Sequence, residues 1–328
     1  MGFSNQLEAL RSYSTVVADT GEISLVKKFK PIDCTTNPSL VYKTILLPEY
    51  SYFVDEALAS KCVEQASSTN PDARPHSDLA DILAVNLGCE LLKVVPGRVS
   101  TEVDATISYD TAATVAKALR LIKLYEERGV PRSRVYIKIA STWEGIEACR
   151  ELEKQNINCN MTLIFSFAQA AACAAAGATL ISPFVGRILD WYKKQNPETQ
   201  YTAKNDPGVV SVHRIYNYYK KYGYKTIVMA ASFRNVGEIL GLAGCDNITI
   251  SPQLLGQLEA SQEPVERVLS PESAVSEDSD IKSFSKELFD RLHSADQMAV
   301  EKLKEGIESF ASDQKKLEDL ISNKLQDK

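Results

Sequence analysis

The run Val135-Tyr136-Ile137-Lys138-Ile139-Ala140 decides how the rest of the chain is read. It is short, rich in β-branched and aromatic residues, and lacks polar/apolar alternation. A strand covered on both faces, as in a parallel sheet, has this pattern. Outward from it, similar runs recur at 15–18, 32–36, 92–95 continuing to 103, 157–164, 178–182, 226–231 and 247–250, about eight candidate strands in all. Helical patterns intervene at 111–128, 145–155, 167–176, 212–222 and 236–243, with Gly129, Gly177, Gly223 and Gly244 placed as stop signals. The alternation predicts an α/β fold, a (β/α)8 barrel over a doubly wound sheet, although pattern alone separates those two poorly. A length of 328 residues hints at two domains, yet no Pro/Gly/Ser linker halves the chain. One barrel domain over residues 1–328 is therefore expected, with additional helices.

Segments 66–77 and 261–281 are polar and Pro/Ser-rich or acidic, and read as solvated connections. Near the end, Leu303, Ile307, Phe310, Leu317, Ile321 and Leu325 recur at helical spacing between Glu and Lys, predicting a long amphipathic C-terminal helix. It packs on the barrel wall or at a subunit interface. The stretch 155–186 carries no charge, and 163–181 could pass for a membrane span. Asn158, Asn160, Ser166, Gln169, Gly177 and Pro183 interrupt it, so strand, Ala-rich helix and strand is the better reading. No membrane association is expected.

Composition narrows function. With 44% hydrophobic residues the chain can bury a large core, and its net charge of −6 does not favour polyanions. Nucleic acid is excluded as an expected partner, and Tyr216, Tyr218, Tyr219, Tyr222 and Tyr224 read as helix-packing tyrosines rather than base-stacking ones. Seven scattered cysteines without Cys-x-x-Cys suggest reduced thiols in a cytosolic protein. His76, His213 and His293 are remote from one another and lack ligand spacing, so no metal site and no cofactor are expected. The N-terminus has no export or myristoylation pattern, and the chain does not end in a Ser-Lys-Leu signal.

Lys138 is the one charged residue of its strand, a primary amine where loss of water disfavours the ammonium; a neutral amine attacks carbonyls. The plainer alternative is a strand-edge lysine with its ammonium in water. Asp19, Asn37, Glu102, Asp104, Asn160 and Thr162 also stand at or near the ends of apolar strands, which converge on one mouth in a parallel barrel. Each has a bland alternative: a turn at Asp19-Thr20-Gly21, a helix start at Asn37-Pro38-Ser39, a β-branched strand residue at Thr162. Ser182-Pro183-Phe184-Val185-Gly186-Arg187 and Ala231-Ser232-Phe233-Arg234 place hydroxyls and guanidinium groups where a strand turns into a helix. They imply a phosphorylated ligand, or else two surface arginines in salt bridges. No glycine fingerprint for nucleotides follows any strand.

Together with Val16-Val17-Ala18-Asp19-Thr20-Gly21, Thr35-Thr36-Asn37-Pro38-Ser39-Leu40, the run 95–104, Ile137-Lys138-Ile139-Ala140-Ser141-Thr142-Trp143 and the run 181–193, these motifs closely resemble transaldolases of the large, classical type. The resemblance implies an α/β barrel, usually a homodimer, and cofactor-free Schiff-base chemistry in the pentose phosphate pathway. The implied reaction moves a dihydroxyacetone unit from sedoheptulose 7-phosphate to glyceraldehyde 3-phosphate, giving erythrose 4-phosphate and fructose 6-phosphate. Carried onto matching positions, Lys138 is the nucleophile and Asp19 the base at the donor's C4 hydroxyl. Glu102, with Thr162 and a bound water, moves protons. Asn37 and Asn160 orient the dihydroxyacetone unit with Thr35 and Ser182 beside them. Arg187, Ser232 and Arg234 clamp the phosphate, and Phe184 lines the pocket. The related fructose-6-phosphate aldolases typically carry Gln and Tyr where this chain has Glu102 and Phe184, which favours transfer over release of free dihydroxyacetone. An aldolase and a catalytically weak sugar-phosphate binding protein are the rival readings. Three departures from the family pattern stand out: Thr106 for an Arg, Ala230 for a Gly whose loss matters if that position needs positive φ, and Cys34 for an Ala. All three are expected to alter affinity rather than chemistry.

Overall fold

The computed structural model describes residues 3–59 and 75–326. Eight parallel strands close into a barrel in sequential order. They are β1 (Thr15–Asp19), β2 (Asp33–Thr35), β3 (Val99–Glu102), β4 (Val135–Ala140), β5 (Cys159–Ile164), β6 (Leu180–Pro183), β7 (Ile227–Ala230) and β8 (Asn247–Ile250). β1 pairs with β8, which closes the ring and removes every sheet edge. β4 and β5 are buried at every position, as their unbroken apolar reading required.

Helices surround the ring. Those at Thr111–Glu127, Trp143–Lys154, Phe167–Ala176, Pro207–Lys221 and Val236–Leu240 match the periodic segments, with some shifts at their ends. The four stop glycines all adopt positive φ, from 71° at Gly223 to 103° at Gly244. The run 163–181 is not a span: it resolves into the end of β5, the helix Phe167–Ala176 and the start of β6. No described helix is long and apolar enough to cross a membrane.

Two expectations need correction. The third strand does not begin at residue 92, because the helix Pro75–Leu92 runs to that point and β3 starts only at Val99. Leu91 and Val95 are buried there as helix-end and loop residues, so their apolar character reflects core packing rather than strand structure. Helices at Ile23–Phe29, Tyr52–Leu58, Pro252–Ala260 and Lys286–Ser294 were also unassigned, while Pro38–Ile45 and Gly186–Gln195 were read only by their starts, at Asn37-Pro38-Ser39 and at the strand-to-helix turn of 182–187. Segment 261–281 is an irregular connection apart from the turn Pro271–Ser273, as read; most of 66–77 lies outside the described residues.

Inward-facing side chains stack in layers along the strands. Val17, Tyr136, Leu180 and Met229 form an apolar cluster inside the ring. Two residues further along β1, β4 and β6 come Asp19, Lys138 and Ser182, so an apolar floor supports a polar layer at the C-terminal mouth. The helix Gln297–Gln326 packs against its own barrel, over the turn Ala105–Ile107, β5 and the helices Pro38–Ile45 and Pro75–Leu92. Its Leu303, Ile307 and Phe310 join Leu163, Phe165 and Phe184 in a second apolar cluster. Leu163 adopts φ 54°, and the β5–β6 register shifts beside it. A bulge of this kind re-aims a side chain. A Cβ at Gly306 would lie 2.7 Å from Leu163 Cδ2, so glycine allows the helix to approach this closely. The tyrosines of 216–224 pack as expected: Tyr216, Tyr218 and Tyr219 are buried, and Tyr219 donates to the Ala170 carbonyl at 2.6 Å.

Candidate active site

Lys138 sits mid-strand on β4 and is 4% exposed, so the solvated-edge alternative fails. Its Nζ donates to the Thr36 carbonyl at 3.2 Å and lies 3.4 Å from Glu102 Oε2. Strand register produces this neighbourhood, since Lys138 pairs with Glu102 on one side and with Asn160 on the other. Burial pushes the Glu102 carboxyl up to about 7, against the opposing pull of Lys138. The 3.4 Å contact is an ion pair without hydrogen-bond alignment, for Glu102 Oε2 is buried without a hydrogen-bond partner. Thr162 Oγ1 is another such atom.

Asp19 ends β1 with partial exposure at the mouth. Thr35 donates to Asp19 Oδ1 at 2.8 Å, and the Thr249 hydroxyl lies 2.7 Å from that of Thr35. With the Thr35 proton committed to Asp19, Thr249 is the donor of the second bond. Burial holds the Asp19 carboxyl above its ordinary value, opposed by Lys138, Thr35 and Arg187. Asn160 is fully buried, its Nδ2 donating to Ser100 Oγ at 3.0 Å and its Oδ1 accepting from Ser182 Oγ at 2.6 Å. Ser100 and Thr249 were not among the expected site residues. Their signal is positional: each is a polar residue two places from another polar strand residue, and so shares its inward face.

Asn37 combines its bland and its functional readings. Its side-chain oxygen caps the helix Pro38–Ile45 by accepting from Leu40 N at 2.9 Å, while the residue lines the same cavity as Lys138. That cavity, about 70 Å³, brings Asp19, Thr35, Asn37 and Lys138 together with Ser182, Phe184, Arg187 and Ser232. Glu102, Asn160 and Thr162 lie outside its lining, Glu102 instead facing a 20 Å³ cavity beside Asn37 and Gln314. Larger cavities of 680 and 720 Å³ lie at the strand N-termini and beside the helix Pro207–Lys221, and neither collects these groups.

The two guanidinium groups differ. Arg187 lies between the rings of Phe184 and Phe310, 5.1 and 5.4 Å from their centroids, with no ion pair among the described residues. Burial lowers its affinity for its proton below the ordinary guanidinium value, and Arg234 adds to this. Arg234 is exposed and forms a bidentate pair with Asp190, with bonds of 2.7 to 3.2 Å, so the salt-bridge alternative describes this arginine as it stands. It does not line the cavity. Ser232 holds φ 61°, a left-handed conformation that is unusual for a side-chain-bearing residue at a strand end.

The three departures resolve locally. Ala230 lies in β7 without positive φ, so its methyl meets no backbone constraint of the kind feared; the left-handed residue is Ser232. Cys34 is buried, with its Sγ on the Thr20 carbonyl at 3.1 Å. Thr106 donates to Asp104 Oδ1 at 2.8 Å, closing the turn Ala105–Ile107. Cys149, Glu153 and Cys159 come within 4.8 Å of one another, a juxtaposition sequence spacing did not reveal. Glu153 Oε1 accepts from the amides of Cys159 and Thr179 and Oε2 from the Thr179 hydroxyl, so both carboxylate oxygens are engaged there.

The family model described as Transaldolase/Fructose-6-phosphate aldolase matches residues 16–321. A transaldolase of Shewanella amazonensis is 55% identical over 322 residues, covering 98% of this chain and 99% of that one. Transaldolase A of Pasteurella multocida is 54% identical over 322 residues, covering 98% of this chain and all of its own. Transaldolase 1 of Pectobacterium atrosepticum is 53% identical over 321 residues, with coverage of 98% and 100%.

Proposed function

The chain belongs to the transaldolase/fructose-6-phosphate aldolase family, and from that premise we propose that it is a transaldolase, a one-domain enzyme moving a dihydroxyacetone unit between phosphorylated sugars through a Schiff base on Lys138. The observation that carries this reading is the burial of the Lys138 amine 3.4 Å from a carboxyl group whose affinity for protons is raised to about pH 7. Glu102 takes the ammonium proton, and the freed amine attacks C2 of the ketose. The carbinolamine oxygen then leaves as water, accepting a proton from Glu102 with the Thr162 hydroxyl beside it. Glu102 Oε2 and Thr162 Oγ1, both buried without partners, suit this exchange.

Asp19, oriented by Thr35, removes the C4 hydroxyl proton. The C3–C4 electron pair passes into the iminium ion, releasing an aldose phosphate and leaving a three-carbon enamine on Lys138. The enamine attacks the acceptor aldehyde in the reverse sense, and hydrolysis returns the free amine. Asn160, locked by Ser100 and Ser182, and Asn37 hold the three-carbon unit. Arg187 and Ser232 receive the phosphate; Arg234 joins them by exchanging Asp190 for phosphate, two of whose oxygens accept from the planar guanidinium fork as the carboxylate's two do. The substrates read as sedoheptulose 7-phosphate and glyceraldehyde 3-phosphate, exchanged for erythrose 4-phosphate and fructose 6-phosphate in the pentose phosphate pathway. No cofactor enters this scheme. A homodimer in the cytoplasm completes the reading, to be checked by sedimentation and cell fractionation.

The test is borohydride reduction in the presence of fructose 6-phosphate, followed by mass spectrometry. A three-carbon adduct on Lys138 is expected, and an adduct on another residue, or none, overturns the assignment. Turnover should depend on added erythrose 4-phosphate. Equal release of dihydroxyacetone without it would identify an aldolase instead.

A further inference from the structure

Behind the phosphate-facing loops lies an acid pair that the reaction scheme does not use. Glu238 is 1% and Asp206 3% exposed, and the two carboxyl groups stand near enough for each to act on the other's proton. Each is otherwise engaged with backbone donors. Asp206 Oδ1 accepts from Gly208 N at 2.8 Å and Val209 N at 3.2 Å, and Glu238 Oε2 accepts from Arg234 N at 2.6 Å. Glu238 Oε1 is buried with no donor within reach. Two ionised carboxylates offer acceptors alone, so a bond between them requires a proton on one.

The pair also joins two loops. Gly208 packs against the Val185 backbone so closely that a Cβ there would lie 2.2 Å from the Val185 carbonyl oxygen, which fixes Asp206 to the 184–187 loop. Glu238 holds the 231–234 loop through Arg234 N, and Gly186 N donates to the Ser232 carbonyl at 2.8 Å between the two. We propose that Glu238 and Asp206 share one proton, and that this buried acid pair is a positioning device holding both loops in register for the sugar phosphate. The claim rests on the phosphate role of Arg187 and Ser232 given above.

Charge around the pair sets its direction with pH. Burial and the neighbouring Asp206 charge push Glu238 up to about 7, and burial also raises Asp206, which Lys193 opposes. The amide of Arg234 and the capping residue Asn235 face Glu238 from its own loop. Below neutrality the proton is in place. As pH rises through the titration it leaves, the two carboxylates repel in a dry site, and the loops lose register.

The experiment compares KM for fructose 6-phosphate with KM for fructose on either side of neutrality. Glu102 titrates in the same range but affects both substrates, so its contribution cancels in the ratio. In the unaltered enzyme the ratio should rise roughly two- to tenfold with pH, the scale of losing order in a few side chains. Glu238→Gln and Asp206→Asn each supply a permanent N–H donor, and either should hold the ratio at its low-pH value throughout. A ratio that still rises in both variants overturns the proposal. Infrared spectra should show a buried protonated carboxyl below neutrality that Glu238→Gln removes; its absence overturns the shared proton. If that band is present but both KM values rise together, the phosphate role of the loops fails, and the positioning claim fails with it.

Discussion

Phe310→Leu tests whether the C-terminal helix takes part in substrate binding or serves only as a wall. The Arg187 guanidinium has no ion pair among the described residues, and its orientation rests on two rings at 5.1 and 5.4 Å, one of them supplied by this helix. Removing the Phe310 ring leaves a flexible arginine to be ordered when phosphate binds. Immobilising such a side chain costs about 0.5–1.5 kcal/mol, which predicts a rise in KM for phosphorylated sugars of about two- to twelvefold. Phe310 is 1% exposed, so leucine also leaves unfilled space, and a stability loss of about 1–2 kcal/mol is expected. Steady-state kinetics with phosphorylated and unphosphorylated donors, beside thermal unfolding, separate the two effects. The reasoning is refuted if KM for the phosphorylated donor is unchanged, or if both donors suffer equally at a temperature where the variant is folded.

Glu102→Gln removes a group that titrates near pH 7; kcat should fall about 10²- to 10⁴-fold and its pH profile should lose the inflection near neutrality, as stopped-time assays across pH would record. Gly306→Ala drives a methyl to 2.7 Å from Leu163 Cδ2, so calorimetry should show destabilisation of about 1–3 kcal/mol. Ser232→Gly relieves a left-handed φ of 61°. Strain relief of about 1–2 kcal/mol against about 0.5–1 kcal/mol of added chain entropy leaves a net gain of up to about 1.5 kcal/mol, while KM for phosphorylated sugars rises through loss of the hydroxyl.

The candidate site was legible where chemistry contradicts local pattern. Lys138 stands out because no strand of that apolarity needs a lysine, and Asp19 because it closes an apolar run; Glu102 ends the polar run Ser100-Thr101 and stood out only by its place at a strand end. Arg187 and Arg234 looked alike in sequence, each a guanidinium after a hydroxyl at a strand end. Packing separates them: Phe310, more than a hundred residues away, covers the first, and Asp190 engages the second. Ser100 and Thr249 were overlooked because a hydroxyl in a strand is unremarkable until its neighbours across the ring are known. The helix Ile23–Phe29 was missed because two turns give too little periodicity to register, whereas Pro38–Ile45 announced itself only through its start at Asn37-Pro38-Ser39.

The alternation of strands and helices and the amphipathic C-terminal segment were set by the sequence itself, because unbroken apolar runs and residue spacing of three to four encode which surfaces are covered. Closure of the ring, the burial of Lys138 and its pairing with Glu102 on one side and Asn160 on the other, the acid pair of Glu238 and Asp206, and the seating of Phe310 over Arg187 were decided by tertiary structure alone. These depend on register and contacts between residues far apart in the chain, and no local pattern carries the distance between two side chains that meet only when the barrel closes.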